Sequence, residues 1–206
     1  MNICTVVGDS LRIHMGTEEG SVDDPIASAL IGGTVYERLR VERYQLFHQS
    51  IPVKLALQGA VLAALALVLP LAMTLPDSTQ ALFPGGDPLT ASPKILLLGA
   101  YAGAIELVAA VGLCYVGYRR LQGGDIGEAE ARHLLNVEDV ASMISLVTGT
   151  AAVLAVDGFF LLGHGGADAV GELLAAGGSN PFAGTAIPVT VVGVALPAAV
   201  LALTLF

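Results

Sequence analysis

The stretch GAYAGAIELVAAVGLCYVGYRRL, residues 99–121, decides the fold class of this chain. It is longer than the roughly 20 apolar residues that an α-helix needs to cross a bilayer, and it ends in two arginines and a leucine. Glu106 is the one acidic residue in it and stands near the midpoint of the predicted span. An ionisable side chain at that depth costs about 2.5–3.5 kcal/mol on insertion scales. We therefore expect Glu106 to face other helices or a wet cavity rather than lipid.

The composition of the whole chain indicates the same class of protein. Of the 206 residues, 54% are hydrophobic and only 13% are charged, whereas a soluble domain carries roughly 25% charged residues. Four apolar runs are long enough to span a bilayer, at about 55–75, 95–117, 140–163 and 187–206. The sequence predicts an all-α polytopic membrane protein, with four transmembrane helices packed as a bundle in residues 55–206. Three spans and one re-entrant or buried segment are the alternative.

Residues 1–54 form a predicted N-terminal segment with a helix from about Thr34 to Ser50. Aromatic residues and arginines recur in it near helical spacing, which is typical of a helix that lies in the membrane interface. A solvated cytoplasmic helix docked on the loop between the second and third spans is the alternative. Residues 1–14 lack the acidic, glycine-rich character of the following sequence, so Met15 is an alternative start to Met1.

The basic residues predict the orientation of the spans. Eight of the nine precede the first span or lie between the second and third spans, and only Lys94 falls in the other two connections. Because basic residues stay on the cytoplasmic side, we expect a multi-pass protein of the cell membrane with both termini in the cytoplasm. In the cytoplasmic connection we expect a short helix through Leu135, and then Asn136 as the cap of the third span, with Glu138 in its first turn.

The formal net charge is −9, from 18 acidic and 9 basic residues, two of them lysines. Nucleic-acid binding needs basic patches, so nucleic acid is not an expected partner. Acidic, lysine-poor chains rich in alanine, glycine and valine are typical of halophiles, which is the source that the composition suggests. The two cysteines, Cys4 and Cys114, are far apart and predict no disulfide framework.

Several further residues of the spans are candidates for a polar site or a packing surface. Asp157 is a second acid within a span, and the helical rise predicts that it lies about 7 Å nearer the outer surface than Glu106. Ser145 and Thr148 belong to a set of small polar residues that could offer hydroxyls to a buried carboxyl. Gly99 and Gly103 form a G-x-x-x-G pair, the spacing at which helix backbones approach closely.

These patterns leave two functions open. In the first, the protein is a non-catalytic structural or accessory subunit of a membrane complex, with a protein partner or a second copy bound through helix packing. In the second, it is a small proton or cation transporter that uses Glu106 and Asp157, as intramembrane acids often do. No nucleotide-binding, hydrolase or metalloprotease motif occurs, and the histidines lie outside the spans or at their edges. We therefore expect no cofactor and no metal, and enzymatic activity has no positive support.

Overall fold

The computed structural model describes residues 35–42, 49–122, 126–176 and 178–206. Within these ranges the chain is helical and forms no β-strand, only an isolated bridge between Pro93 and Gly184. The helices, in chain order, are α1 (Val35–Glu42), α2 (Ile51–Ala66), α3 (Val68–Met73), α4 (Asp77–Gln80), α5 (Lys94–Leu121), α6 (Glu128–Met143), α7 (Thr150–Gly163), α8 (Gly166–Ala175) and α9 (Val191–Leu205).

The helices stack end to end into long helical rods that form the bundle, and two of these rods contain more than one helix. Helices α2 and α3 are separated at Leu67, three residues before Pro70. Proline has no N–H to donate to the carbonyl of the residue four positions before it, and its ring clashes with that carbonyl. This explains the break. Helices α6 and α7 are joined by a π-helical segment, Ile144–Gly149, into one rod of 36 residues.

Three rods are long and apolar enough to cross a membrane: Ile51–Met73, Lys94–Leu121 and Glu128–Gly163. The predicted fourth span contains α9, a shorter apolar helix of 15 residues. Many large apolar side chains point away from the bundle, with Val108 73% exposed and Leu203 79% exposed. Such a surface suits lipid better than water, so the described residues have the architecture of a membrane protein.

Rods that follow one another in the chain run in opposite directions. A Cβ atom on Gly112 of α5 would meet Val137 of α6, and one on Gly99 would meet Val156 of α7, so α5 is antiparallel to the α6–α7 rod. Helix α2 is also antiparallel to α5, because Ile51 lies near Gly117 and Leu65 near Gly103, so it is parallel to the α6–α7 rod. The end with α1 and the start of α2 is called the basic end below, since it holds Arg40, Lys54, Arg119, Arg120 and Arg132.

The opposite end, called the loop end, is where the connections 74–93 and 164–190 meet. The rings of Phe83, Phe160 and Phe182 pack there, with centroids 4.6–6.3 Å apart. Thr79 Oγ1 donates a hydrogen bond to Gly163 O at 2.6 Å, and Lys94 N donates one to Ala183 O at 2.8 Å. An ordered cap therefore closes this end of the bundle.

The structure differs from the sequence-based expectation at the basic end. The first rod begins at Ile51 rather than near residue 55, so Lys54 lies inside a helix instead of in front of it. Asn136 is not a cap: α6 begins at Glu128 and runs without interruption past Asn136 and Glu138. Helix α1 covers part of the predicted helix from Thr34 to Ser50, of which residues 34 and 43–48 lie outside the described residues.

Candidate functional site

Glu106 is held in the middle of α5, with no exposed surface. Its Oε2 atom accepts a hydrogen bond from Ser145 Oγ of the π-helical segment at 2.6 Å. Its Oε1 atom is buried and has no hydrogen-bond partner among the described residues. The carboxyl group therefore faces the inside of the bundle, and only one of its two oxygens has a hydrogen-bond partner among the described residues.

Gly149 forms the wall of this site on the α6–α7 rod. A Cβ atom added to Gly149 would overlap Glu106 Oε1 and lie 3.0 Å from Glu106 Cδ. The carboxyl thus rests directly on the backbone of Gly149, and a side chain at that position would displace it. A π-helical segment is rare and is often found at functional sites.

Two other residues that the sequence suggested for this site lie elsewhere. Thr148 is exposed on the rod and makes no side-chain hydrogen bond to another described residue. Asp157 is half-buried on α7, eight residues beyond Gly149, which is about 12 Å along the helix. Its Oδ1 atom is buried without a hydrogen-bond partner among the described residues. The structure brings together Glu106 and Ser145, and it separates Asp157 from them by more than the expected 7 Å.

The G-x-x-x-G pair lies on the loop-end side of Glu106. Gly99 of α5 is buried against three other helices, and a Cβ atom there would lie 3.3 Å from Val194, 3.5 Å from Leu65 and 3.7 Å from Val156. Gly103 is less crowded, with Leu65 as its nearest neighbour at 3.6 Å. The side chains of Val194, Leu65 and Val156 around Gly99 therefore place apolar groups between Glu106 and the loop end.

A second buried polar cluster, which the sequence did not reveal, lies at the basic end. Lys54 Nζ donates a hydrogen bond to Glu138 Oε1 at 2.7 Å, and both side chains have no exposed surface. Tyr36 of α1 donates its hydroxyl to Glu138 Oε2, and the Arg40 guanidinium lies 3.8 Å from Oε1. These four residues are called the inner cluster below.

Aromatic and electrostatic contacts complete the surroundings of the inner cluster. The Arg120 guanidinium of α5 stacks on the Tyr36 ring, with its Cζ atom 4.6 Å from the ring centroid. Burial, followed by the hydrogen bond to the Glu138 carboxylate, raises the pKa of the Tyr36 hydroxyl above its usual value of 10.0. The Tyr36 hydroxyl therefore keeps its proton at physiological pH and donates it in the hydrogen bond to Glu138.

Helical spacing is the signal that could have revealed this cluster. Glu138, Ser142, Ser145 and Gly149 recur at intervals of four, three and four residues, so they share one face of a continuous helix. The prediction that Asn136 caps the third span placed Glu138 in the first turn, where a carboxylate is favourable without a buried partner. Ser142 is also buried, and its hydroxyl donates a hydrogen bond to Glu138 O at 2.6 Å.

Gln58 lies on α2 one turn beyond Lys54 and is fully buried. Neither the nitrogen nor the oxygen of its side-chain amide has a hydrogen-bond partner among the described residues. One line of buried polar side chains thus leads from the basic end towards the middle of the bundle. It is called the polar file below and consists of Lys54, Glu138, Gln58, Ser142, Ser145 and Glu106.

A groove lies on the outside of the bundle. It has a volume of about 620 Å³ and runs along the seam between α5 and α6. Small residues such as Ala104 and Gly112 form part of its lining, with apolar side chains around them. His133 and Asn136 line it as well, towards the basic end.

Other chemistry is sparse in the part of the chain that the structure describes. It contains no group of three or more histidine, cysteine, aspartate or glutamate side chains arranged to hold a metal ion. Cys114 is a free, exposed thiol on α5. No protein-family model matches the chain, and neither a curated protein nor a solved structure is significantly similar to it.

Proposed function

We propose that this protein is a proton-translocating helical bundle of the cell membrane and that Glu106 is its central proton carrier. The observation that carries the proposal is the unpartnered Oε1 atom of Glu106, buried mid-span beside Ser145 and Gly149. A carboxyl that served only to join two helices would gain from having both oxygens bonded, because an unsatisfied buried acceptor is costly. An oxygen kept free can instead receive a proton.

The polar groups on either side of Glu106 support a directional route. The polar file approaches Glu106 from the basic end, whereas the apolar packing around Gly99 separates it from the loop end. Asp157 provides a second unpartnered carboxyl oxygen about 12 Å farther towards the loop end. In this proposal the bundle loosens around Gly99 to pass a proton from Glu106 to Asp157.

The proposal includes four spans with both termini on the cytoplasmic side. Helix α9 rises about 22 Å, and the preceding residues 188–190 are not helical and add length to the apolar segment. Helix α9 packs along α2 and α5, with Phe206 against Gly59 and Val194 against Gly99. The clustering of basic residues at one end supports the orientation, and α1 would lie there at the cytoplasmic interface.

Proton flux into proteoliposomes tests the proposal. The purified full chain is reconstituted with a pH-sensitive dye inside, and a potassium diffusion potential drives protons inward through the protein. Glu106→Gln keeps the size of the side chain but cannot titrate, so we expect flux at the level of protein-free vesicles. Asp157→Asn should reduce flux as well. Asp87→Asn, which changes an exposed acid at the loop end, is the matched control and should conduct like the wild type.

Two results would contradict the proposal. One is wild-type flux no higher than that of protein-free vesicles at either sign of the potential. The other is full flux in the Glu106→Gln variant, since an amide cannot carry a proton in this way. Thermal unfolding of each variant in detergent shows whether a loss of flux reflects a loss of structure.

The groove between α5 and α6 favours a second candidate, an accessory subunit of a membrane complex. Its small residues would let a helix from a partner chain, or from a second copy, approach the backbone of α5 closely. Substituting the exposed Ala104 by Leu would fill the groove, and we expect this change to remove partner subunits from a native purification. Under this candidate, Glu106→Gln leaves assembly intact because Gln preserves the hydrogen bond with Ser145.

A further inference from the structure

Gln58 is the residue of the polar file whose side-chain amide has no bonding partner for either its nitrogen or its oxygen among the described residues. Its amide can donate two hydrogen bonds and accept two, and it makes none with the described residues although it has no exposed surface. Large polar side chains that are buried in this way are nearly always bonded, either to protein groups or to ordered water. Gln58 therefore needs partners that the neighbouring side chains do not supply.

The contacts around Gln58 fix its level in the bundle. Ile51, seven residues before it, faces Gly117 of α5, and Leu65, seven residues after it, faces Gly103. Halfway between those two contacts on α5 is the small, buried Ala110. Gln58 thus projects from α2 towards a part of α5 that has no polar group of its own.

On the α6–α7 rod, the same level is polar. Lys54 of α2 pairs with Glu138 of α6, and these two helices are parallel. Gln58 lies one turn beyond Lys54 and Ser142 lies one turn beyond Glu138, so Gln58 and Ser142 are at the same level. Ser145 is the next residue on that face and holds Glu106 at 2.6 Å. The amide of Gln58 therefore lies between the inner cluster and the Glu106 carboxyl, which also has an unpartnered oxygen.

We propose that Gln58 binds internal water molecules, and that this water relays protons between the inner cluster and Glu106. The relay rests on the proposed role of Glu106 as a proton carrier, whereas the water site does not. Buried water typically makes about three hydrogen bonds to polar groups that lack other partners, and the Gln58 amide and Glu106 Oε1 supply such groups. Lys54, Arg40, Arg120, Tyr36 and Glu138 are the titratable or charged groups that face the inner end of this site.

Deuterium exchange at the Glu106 carboxyl tests the inference without any need for net transport. Infrared spectra of the reconstituted full chain are recorded after a change from H₂O to D₂O at acidic pH, where a buried carboxyl is protonated. The carboxyl band is assigned to Glu106 by its loss in the Glu106→Gln variant. The rate at which that band shifts reports how readily solvent protons reach Glu106.

A pair of substitutions at Gln58 separates a water site from a mere polar side chain. Gln58→Met fills the same volume with an apolar group, so we expect exchange at Glu106 to slow at least tenfold. Gln58→Ala leaves room for water, so exchange should stay within about threefold of the wild type. Thr204→Val, at an exposed hydroxyl on α9, is the matched control and should exchange like the wild type.

Exchange at the wild-type rate in Gln58→Met, together with a higher unfolding temperature, would overturn the inference. That result would mean that Gln58 binds no water and that replacing this unsatisfied polar group stabilises the bundle. Fast exchange in the wild type that slows in Gln58→Met, combined with no proton flux, would support the water site and refute the transport function. Slow exchange in the wild type, equal to that of Gln58→Met, would refute the water site whatever the flux.

Discussion

Substituting Gly149 by alanine tests the packing of the carboxyl site directly. The new Cβ atom would overlap Glu106 Oε1 and lie 3.0 Å from Glu106 Cδ, closer than the 3.4 Å of an ordinary contact. The carboxyl must therefore move away from the α6–α7 rod, and its 2.6 Å hydrogen bond with Ser145 Oγ lies on that same rod. The substitution should push Glu106 out of reach of Ser145.

The expected cost combines two effects. Inserting a methyl group into a packed interior costs about 1–3 kcal/mol, and leaving buried polar groups without their partners costs about 1–3 kcal/mol. Because the carboxyl has some freedom to rotate, we expect Gly149→Ala to lower the free energy of unfolding by about 2–4 kcal/mol. Gly158→Ala is the control, since a Cβ atom added to Gly158 of α7 meets no atom within 4 Å.

Reversible unfolding in mixed micelles measures these differences. Removing the carboxyl should relieve the overlap, so the loss in the double variant Gly149→Ala, Glu106→Ala should be at least 1 kcal/mol smaller than the two single losses combined. If Gly149→Ala unfolds like Gly158→Ala, the carboxyl does not rest on Gly149. Additive losses in the double variant would refute the contact as well.

Three further predictions concern the two ends of the bundle. Lys54→Met should lower the free energy of unfolding by about 3–5 kcal/mol, because it removes the bonded cation of a fully buried carboxylate, whose other cation, Arg40, is 3.8 Å away and partly exposed; the double variant with Glu138→Leu should regain part of that loss, and equal losses in both would contradict a buried pair. Thr79→Val should cost about 1–2 kcal/mol in chemical unfolding, because the buried Gly163 carbonyl loses its donor; an unchanged midpoint would refute this. Hydrogen bonds from the loop that follows Asp87 hold the pKa of its carboxyl below the ordinary value of 3.8, so its stabilising effect is complete above that value and is lost as the pH falls through the lowered pKa. Asp87→Asn should make the unfolding temperature less sensitive to acid, which a titration of thermal unfolding would detect.

The class of protein and the interior position of Glu106 follow from patterns along the chain. The cost of an acidic group in lipid predicts that Glu106 faces inward, and in the structure it has no exposed surface. Hydropathy and length predict the long apolar rods that include Ile51–Met73 and Lys94–Leu121. Such patterns are local, because each residue contributes to them in the same way wherever its helix is placed.

The ends of helices were less predictable because local signals compete there. Asn136 is a good N-cap residue, yet the chain stays helical through it from Glu128 to Met143. Packing of α6 against α1 and α5 outweighs the capping preference of one residue. As a result Glu138, expected in a favourable first turn, lies inside the bundle and pairs with Lys54.

What the sequence by itself determined is therefore the membrane class, the helical content and the burial of one carboxyl, since these depend on composition and helical period. Only the tertiary structure decided which groups meet: Glu106 with Ser145 and Gly149, Lys54 with Glu138, and Asp157 with neither. The physical reason is that contacts between helices depend on the rotation and axial shift of each rod, which are set by the packing of all of them together. A shift of one turn, about 5.4 Å, would leave the hydropathy pattern unchanged and remove every one of these polar contacts.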